Sequence, residues 1–221
     1  MKKFINEMFV SIQGEGLLVG QKSVFIRVQG CNMNCSFCDT AYAIPLEGAV
    51  YGVEDAVKFI NENAKGRSVG IVFTGGEPML YEKEIYEIVA KLREGEMQLW
   101  WKDITIETNG TVPLKYELQW GRADVLFSVS PKRKEDGLSW HNKYIRIKSV
   151  YKFVDSAEFA PWLAEAIEEL PENAMIYLMP EAQTREEFVE RAPDTIEKCK
   201  EWGVRFSPRV QVEVWNKKRG V

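Results

Sequence analysis

Runs of β-branched and aromatic residues alternate with segments of helical period along most of this chain, and that alternation is what most limits the folds open to it. A strand pattern at Val24 to Val28 is followed by a helical pattern at Val53 to Asn63, a strand at Ser68 to Phe73, a helix at Tyr81 to Leu92 and a strand at Ile104 to Glu107. Strands then follow at Ala123 to Val129 and Ile145 to Phe153, a helix at Ala157 to Leu170, a strand at Met175 to Leu178 and a helix at Arg185 to Trp202. Ser156 before one helix and Gly203 after another are suitable caps. Units of this kind bury their apolar faces by forming a parallel sheet covered with helices, so an α/β fold is expected. The 221 residues suit one domain, and no low-complexity linker interrupts them. We therefore expect a single domain over 1–221.

Composition narrows the function classes. With 45% hydrophobic and 28% charged residues the chain is expected to be neither disordered nor a membrane protein, and no apolar run approaches the ~20 residues of a spanning helix. The N-terminal lysines meet Asn6 and Glu7 before any apolar signal core develops, so a cytoplasmic location is expected. A net charge of −4 argues against direct nucleic-acid binding, which needs a basic surface.

The polar residues fall where strands end. Ile71 to Phe73 runs into Thr74-Gly75-Gly76-Glu77-Pro78, Ile104 to Glu107 into Thr108-Asn109-Gly110, Val125 to Val129 into Ser130-Pro131-Lys132, and Ile176 to Leu178 into Met179-Pro180-Glu181. Singly, each is a turn. In barrel-like parallel sheets, ligands bind at the C-terminal ends of the strands, so together these motifs are expected on one rim.

Three of the four cysteines, Cys31, Cys35 and Cys38, lie within eight residues. Thiolates are the usual ligands of a four-iron cluster, and three of them leave one iron open to a non-protein ligand. A structural zinc site needs four ligands in paired spacings, and the remaining candidates, Cys199 and His141, are remote and have no partner ligand beside them. Cys199 shares a helical face with Ile196 and Trp202 and reads as core, His141 as a surface residue, and Trp100-Trp101 as core or interface. Strand alternation puts Phe25, Arg27 and Gln29 on one face and Val24, Ile26 and Val28 on the other. Arg27 is then an isolated charge beside an aromatic, suited to bidentate carboxylate recognition or else simply exposed. Gln13, between Ile12 and Gly14, reads as a donor and acceptor on a flexible loop.

Cys31-x3-Cys35-x2-Cys38, with Phe37 before the last cysteine, and Gly75-Gly76-Glu77-Pro78 resemble the radical S-adenosylmethionine (SAM) superfamily. Ser11 to Gly16, Phe25-Ile26-Arg27, Cys31-Asn32, Cys38-Asp39-Thr40 and Trp215 to Val221 further resemble the 7-carboxy-7-deazaguanine synthase family, over essentially the whole chain. The resemblance implies a partial, incomplete parallel β/α barrel with a cluster loop at 30–42 and a C-terminal tail at 208–221. It implies a [4Fe-4S] cluster on the three cysteines whose open iron takes the amino and carboxylate groups of SAM.

It further implies SAM contacts at Phe37, Cys38, Asp39, Gly75, Gly76, Glu77, Ser130, Pro131, Lys132, Tyr177, Leu178, Met179 and Pro180, with Glu77 either meeting the SAM ammonium or capping the next helix. Substrate contacts are implied at Ile12, Gln13, Gly14, Arg27, Thr74, Gln211 and Val221, and Mg2+ at Thr40. The implied reaction contracts the ring of 6-carboxy-5,6,7,8-tetrahydropterin to 7-carboxy-7-deazaguanine with loss of ammonia, on the way to queuosine or archaeosine. No side chain is assigned a catalytic step, because cluster and SAM carry the chemistry. A flavodoxin or ferredoxin donor and a homodimer are implied as well. One departure stands out: family members often carry Pro-Gln-x-His where this chain has Pro208-Arg209-Val210-Gln211, and Gln211 cannot titrate near neutral pH as histidine does. An activase for a glycyl radical protein would share the cysteine spacing, whereas an electron carrier would usually supply four ligands.

Overall fold

The computed structural model describes residues 2–64, 69–94, 101–115, 125–132, 148–157 and 160–221. Eight strands form one sheet in sequential order: β1 (Ile5–Ile12), β2 (Lys22–Val28), β3 (Val69–Gly75), β4 (Trp101–Thr108), β5 (Val125–Val129), β6 (Ser149–Asp155), β7 (Ile176–Pro180) and β8 (Arg205–Phe206). β1 pairs antiparallel with β2, and every later pairing is parallel. Among the described residues the α-helices are α1 (Val53–Asn63), α2 (Glu82–Glu94), α3 (Ala160–Glu168), α4 (Arg185–Trp202) and α5 (Val210–Trp215). Parallel strands in unbroken sequential order, with α1, α2 and α3 packed against the same face, curl the sheet towards a barrel, here a partial one.

Strand alternation then separates two environments. Val24, Ile26, Val28, Ile71, Phe73, Ile104, Ile106, Phe127 and Phe153 point outward into the main core, against Ile60 of α1, Ile85 and Ile88 of α2 and Leu163 of α3. From the inner face, Leu126, Val150 and Tyr177 form a separate cluster with Leu17, Leu18 and Met175, the apolar floor of the barrel. The gap between β1 and β8 carries no strand pairing. It is crossed by Val210 N donating to Gly14 O (3.1 Å) and Gly16 N to Ser207 Oγ (2.9 Å).

Two helices match their expected bounds, α1 and α4. Thr184 and Glu187 form a reciprocal capping box at the start of α4, and Gly203 ends it in the left-handed region at φ 65°. β1 was not anticipated: only its first residue is fully buried, so no alternating pattern marks it. Several strands run further than expected, because Thr74, Gly75, Thr108 and Pro180 still pair with their neighbours. α3 begins at Ala160, so Ser156 is not adjacent to its described start. His141 and Trp100 lie outside the described residues, as does the side chain of Trp101.

Candidate active site

The rim at the C-terminal ends of the strands encloses a cavity of about 470 Å³. Cys31, Cys35 and Cys38 all line it, half-buried and free of disulfides. As free thiols, Cys31 and Cys38 are raised, first by burial, so ligation to a metal would release protons. Cys199 is buried in the main core, and burial followed by the nearby Asp155 pushes its thiol up to about 11.

Gly75 and Gly76 also line the cavity, but what demands glycine there is backbone. Gly75 sits at φ +116°, where a Cβ would press on Val28, and a Cβ on Gly76 would collide with the Gly30 carbonyl. These contacts press the turn against the start of the cysteine loop, with Glu77 N donating to Gly30 O at 2.8 Å. Glu77 itself is fully buried and does not line the cavity. Its carboxylate accepts from Met79 N (2.9 Å), Thr108 Oγ1 (2.7 Å) and Asn109 N (2.7 Å), which is the capping alternative. Asn109 in turn donates to Asn32 in the cysteine loop (2.9 Å), so Glu77 braces that loop at one remove. Burial raises its pKa, and the three hydrogen bonds oppose the rise.

Phe37, Asp39, Ser130, Lys132 and Met179 line the cavity, whereas Pro131, Tyr177, Leu178 and Pro180 are buried away from it. Lys132 donates to Ser130 Oγ (2.7 Å) and lies 5.8 Å from the centre of the Phe37 ring. Burial, then the neighbouring Lys152, lowers its pKa. Thr40 lines the cavity and donates to Asp39 Oδ1 at 2.8 Å. Ile12, Gln13, Gly14, Arg27, Thr74, Gln211 and Val221 are all on the wall.

Two expectations need correction. Gln13 is not on a flexible loop: it is 5% exposed, its backbone bonds to Gln21 and Gly20, and its amide donates to Glu107 Oε1 at 3.2 Å. Nor is Arg27 isolated, because Glu7 Oε1 accepts from its Nε at 2.7 Å, between the rings of Phe9 and Tyr42. Gln29, although on the same strand face, turns away to Asn6, Tyr42 O and Pro45 O.

A charged cluster that no local pattern announced lines the same cavity and reaches the cysteine loop through Asp39. Glu15 accepts from Lys152 (2.5 Å), Arg209 (3.1 Å) and Gln211 (2.6 Å). Lys152 also lies 3.8 Å from Glu107, and Arg209 bonds Asp39 and the Ala182 carbonyl. Burial alone would raise the Glu15 pKa, but Lys152 and Arg209 outweigh it and hold the carboxyl far below its ordinary range. Burial would likewise lower Lys152, and Glu15 with Glu107 reverses that and raises it.

Comparison with known proteins settles the family. The Radical SAM superfamily model matches residues 25–192. The 7-carboxy-7-deazaguanine synthase of Aquifex aeolicus (strain VF5) is 34% identical over 212 residues, 93% of this chain and 90% of the relative. That of Hyperthermus butylicus (strain DSM 5456 / JCM 9403 / PLM1-5) is 33% identical, over 94% and 91%. The chain belongs to the 7-carboxy-7-deazaguanine synthase family. A crystal structure of QueE from Escherichia coli superposes with a TM-score of 0.68 at 25% identity, covering 93% of this chain and 92% of that one. Native anSMEcpe with bound AdoMet, at 16% identity and a TM-score of 0.58 over 80% and 61%, shares the fold.

Radical SAM family membership implies a [4Fe-4S] cluster and SAM, and the residues present fit both. Among the described residues no three His, Cys, Asp or Glu side chains converge as a single-ion site. A four-iron cluster makes no such demand, since each thiolate binds a different iron, and three thiols line one cavity here. Gln211, also on the cavity wall, has its Oε1 buried against Gly14 with no hydrogen-bond partner among the described residues. Glu15 and Arg209 lie within stretches singled out in the sequence, 11–16 and 208–211. Their pairing joins residues 194 positions apart, which no local signal reports.

Proposed function

We infer that this protein is a radical SAM enzyme that contracts the ring of 6-carboxy-5,6,7,8-tetrahydropterin to 7-carboxy-7-deazaguanine with loss of ammonia, in 7-deazapurine biosynthesis. The observation that carries the inference is family resemblance over more than nine-tenths of the chain, joined to a cavity lined both by the three cysteines and by Arg27. When bound, the cluster and SAM supply the one-electron chemistry that removes hydrogen from C6 of the pterin.

The chain's own residues hold and shield. Cys31, Cys35 and Cys38 would ligate the cluster. Phe37, Asp39, Gly75, Gly76, Ser130, Lys132 and Met179 would surround SAM, with Glu77 bracing the turn from behind. Arg27 would read the pterin carboxylate with its terminal nitrogens, its Nε being engaged by Glu7. Gln13, Thr74 and Gln211 offer amide and hydroxyl groups to the pterin edge, and Ile12, Gly14 and Val221 complete that wall. Thr40 is the proposed protein ligand of a Mg2+ ion that keeps waters and borrows oxygens from the substrate. We further propose a homodimer, a flavodoxin or ferredoxin as electron donor, and a cytoplasmic setting. Among the described residues, no helix is long and apolar enough to cross a membrane.

Anaerobic turnover of the reconstituted protein with SAM, reductant, Mg2+ and the carboxypterin, followed by mass spectrometry, tests the inference. The expected result is 7-carboxy-7-deazaguanine with SAM undiminished. 5′-Deoxyadenosine without that product would overturn the substrate assignment.

A further inference from the structure

Beside Arg27 the cavity mouth contains a second guanidinium, delivered by the segment after α5. Arg219 lies over the Tyr42 ring, 3.3 Å from its centre, and reaches Glu7 Oε2 at 3.7 Å. The other oxygen of the same carboxylate, Oε1, accepts from Arg27 Nε (2.7 Å) and from Tyr42 Oη (2.8 Å). Arg27, Tyr42 and Arg219 line the cavity, whereas Glu7 stands behind them. One carboxylate therefore orients two guanidiniums and a phenol, and within this group of four side chains one positive charge is left uncompensated.

We propose that Glu7, Tyr42 and Arg219 complete a two-arginine claw for the substrate's carboxylate, with Glu7 as the positioning residue that ties carboxylate recognition to docking of the segment 216–221. The proposal rests on the assignment of Arg27 to the pterin carboxylate, and adds a second donor and the residue that aims both. The geometry has a chemical logic. Arg27 is held by a bond at Nε and Arg219 by one face over the Tyr42 ring, so N–H edges of both remain for the oxygens of a planar carboxylate entering between them. Arg27 belongs to the sheet, but Arg219 belongs to a segment that reaches the mouth only when it folds back. A carboxylated ligand would thus favour the docked segment, and the docked segment would favour the carboxylated ligand, as linkage requires.

The test uses the reconstituted holoenzyme with SAM under anaerobic conditions and two unreactive probes, 6-carboxypterin and pterin, whose binding is followed by their fluorescence. Wild type should prefer the carboxylated probe. Glu7→Gln, which keeps size and removes charge, and Arg219→Met, which removes the second arginine, should each cut that preference by about tenfold, the loss of one charge-assisted bond. Both should raise KM for the carboxypterin more than they lower kcat, which general loosening of the fold would not do. Limited trypsin digestion, read by intact mass, should trim Glu7→Gln faster than wild type at Lys217, Lys218 and Arg219, and 6-carboxypterin should slow the trimming of wild type.

Unchanged probe preference in both variants, with trimming of Glu7→Gln at the wild-type rate, overturns the claw while leaving Arg27's assignment standing. A wild type that binds both probes equally overturns the Arg27 assignment and the claw's recognition role with it. Arg219→Met keeps the test decisive should Glu7→Gln misfold, since it alters no core position.

Discussion

The outer and inner faces of the same strands are built by opposite rules. On β6, Phe153 is fully buried in the main core while Lys152, next to it, enters the cavity carrying a charge. On β4, Ile106 packs under the helices while Glu107 accepts from Thr74 (2.7 Å) and Gln13. Outward positions bury carbon, and their contribution grows with the apolar area removed from water. Inward positions near the rim bury charge, which costs free energy unless each ion is paired and hydrogen-bonded. The inner face changes character along its own length as well, from the floor of Leu126, Val150 and Tyr177 to a rim of Arg27, Glu107, Ser130 and Lys152. Stability and function are therefore divided by strand parity, and single substitutions can separate them.

The largest functional effect should come from the cysteine wall. Cys35→Ala is expected to abolish turnover and the visible absorbance of the reconstituted cluster while leaving the far-ultraviolet circular dichroism unchanged. A variant with full cluster absorbance would break the assignment.

Phe127→Ala, on the outer face, should do the reverse. It is expected to lose about 3–5 kcal/mol and on the order of 10 °C in Tm, yet to retain specific activity in whatever fraction stays folded. Thermal melts beside activity per folded molecule would show it.

Lys152→Met tests the inner face, because it leaves Glu15 paired with Arg209 and takes from Glu107 the ammonium 3.8 Å away. A cost of about 2 kcal/mol is expected, below the full penalty of a broken buried pair since Arg209 persists. Activity should fall far more than the melt would suggest. Equal losses in both would mean that parity does not divide the roles.

The smallest effect concerns pH. The Glu15 carboxyl is held far below its ordinary value of 4.5, so its contribution is fully present above that value and is lost only as pH falls towards the folded one. The Tm difference between wild type and Glu15→Gln should stay constant from neutral pH to about 4.5 and narrow only below it. Narrowing already at pH 6 would mean that Glu15 is not held in this way.

What could be read in advance follows the same division. Outward strand residues and amphipathic helices announce themselves by period, so α1 and α4 matched their expected bounds. The three cysteines are legible because their spacing is local. β1 was missed because, as an edge strand paired on one side, it lacks the alternation that burial imposes. Glu15, Lys152 and Arg209 were missed as a group because their partners lie across the sheet, and a charge does not reveal its partner in sequence. Gln211, noted as a departure from a histidine, is held against Gly14, where a Cβ would collide with its amide.

The seam between β1 and β8 decides how this molecule comes apart. Elsewhere around the sheet each strand is held by a ladder of backbone bonds, which release together. At the seam the fastenings are a few separate bonds: Val210 to Gly14, Gly16 to Ser207, and Arg209 and Gln211 to Glu15. On gentle warming they can let go one at a time, well before the ladder yields. Because Gly14, Arg209 and Gln211 are also cavity wall, the protein should go silent before it melts, recovering on cooling, with an inactivation midpoint several degrees below the loss of its circular dichroism signal.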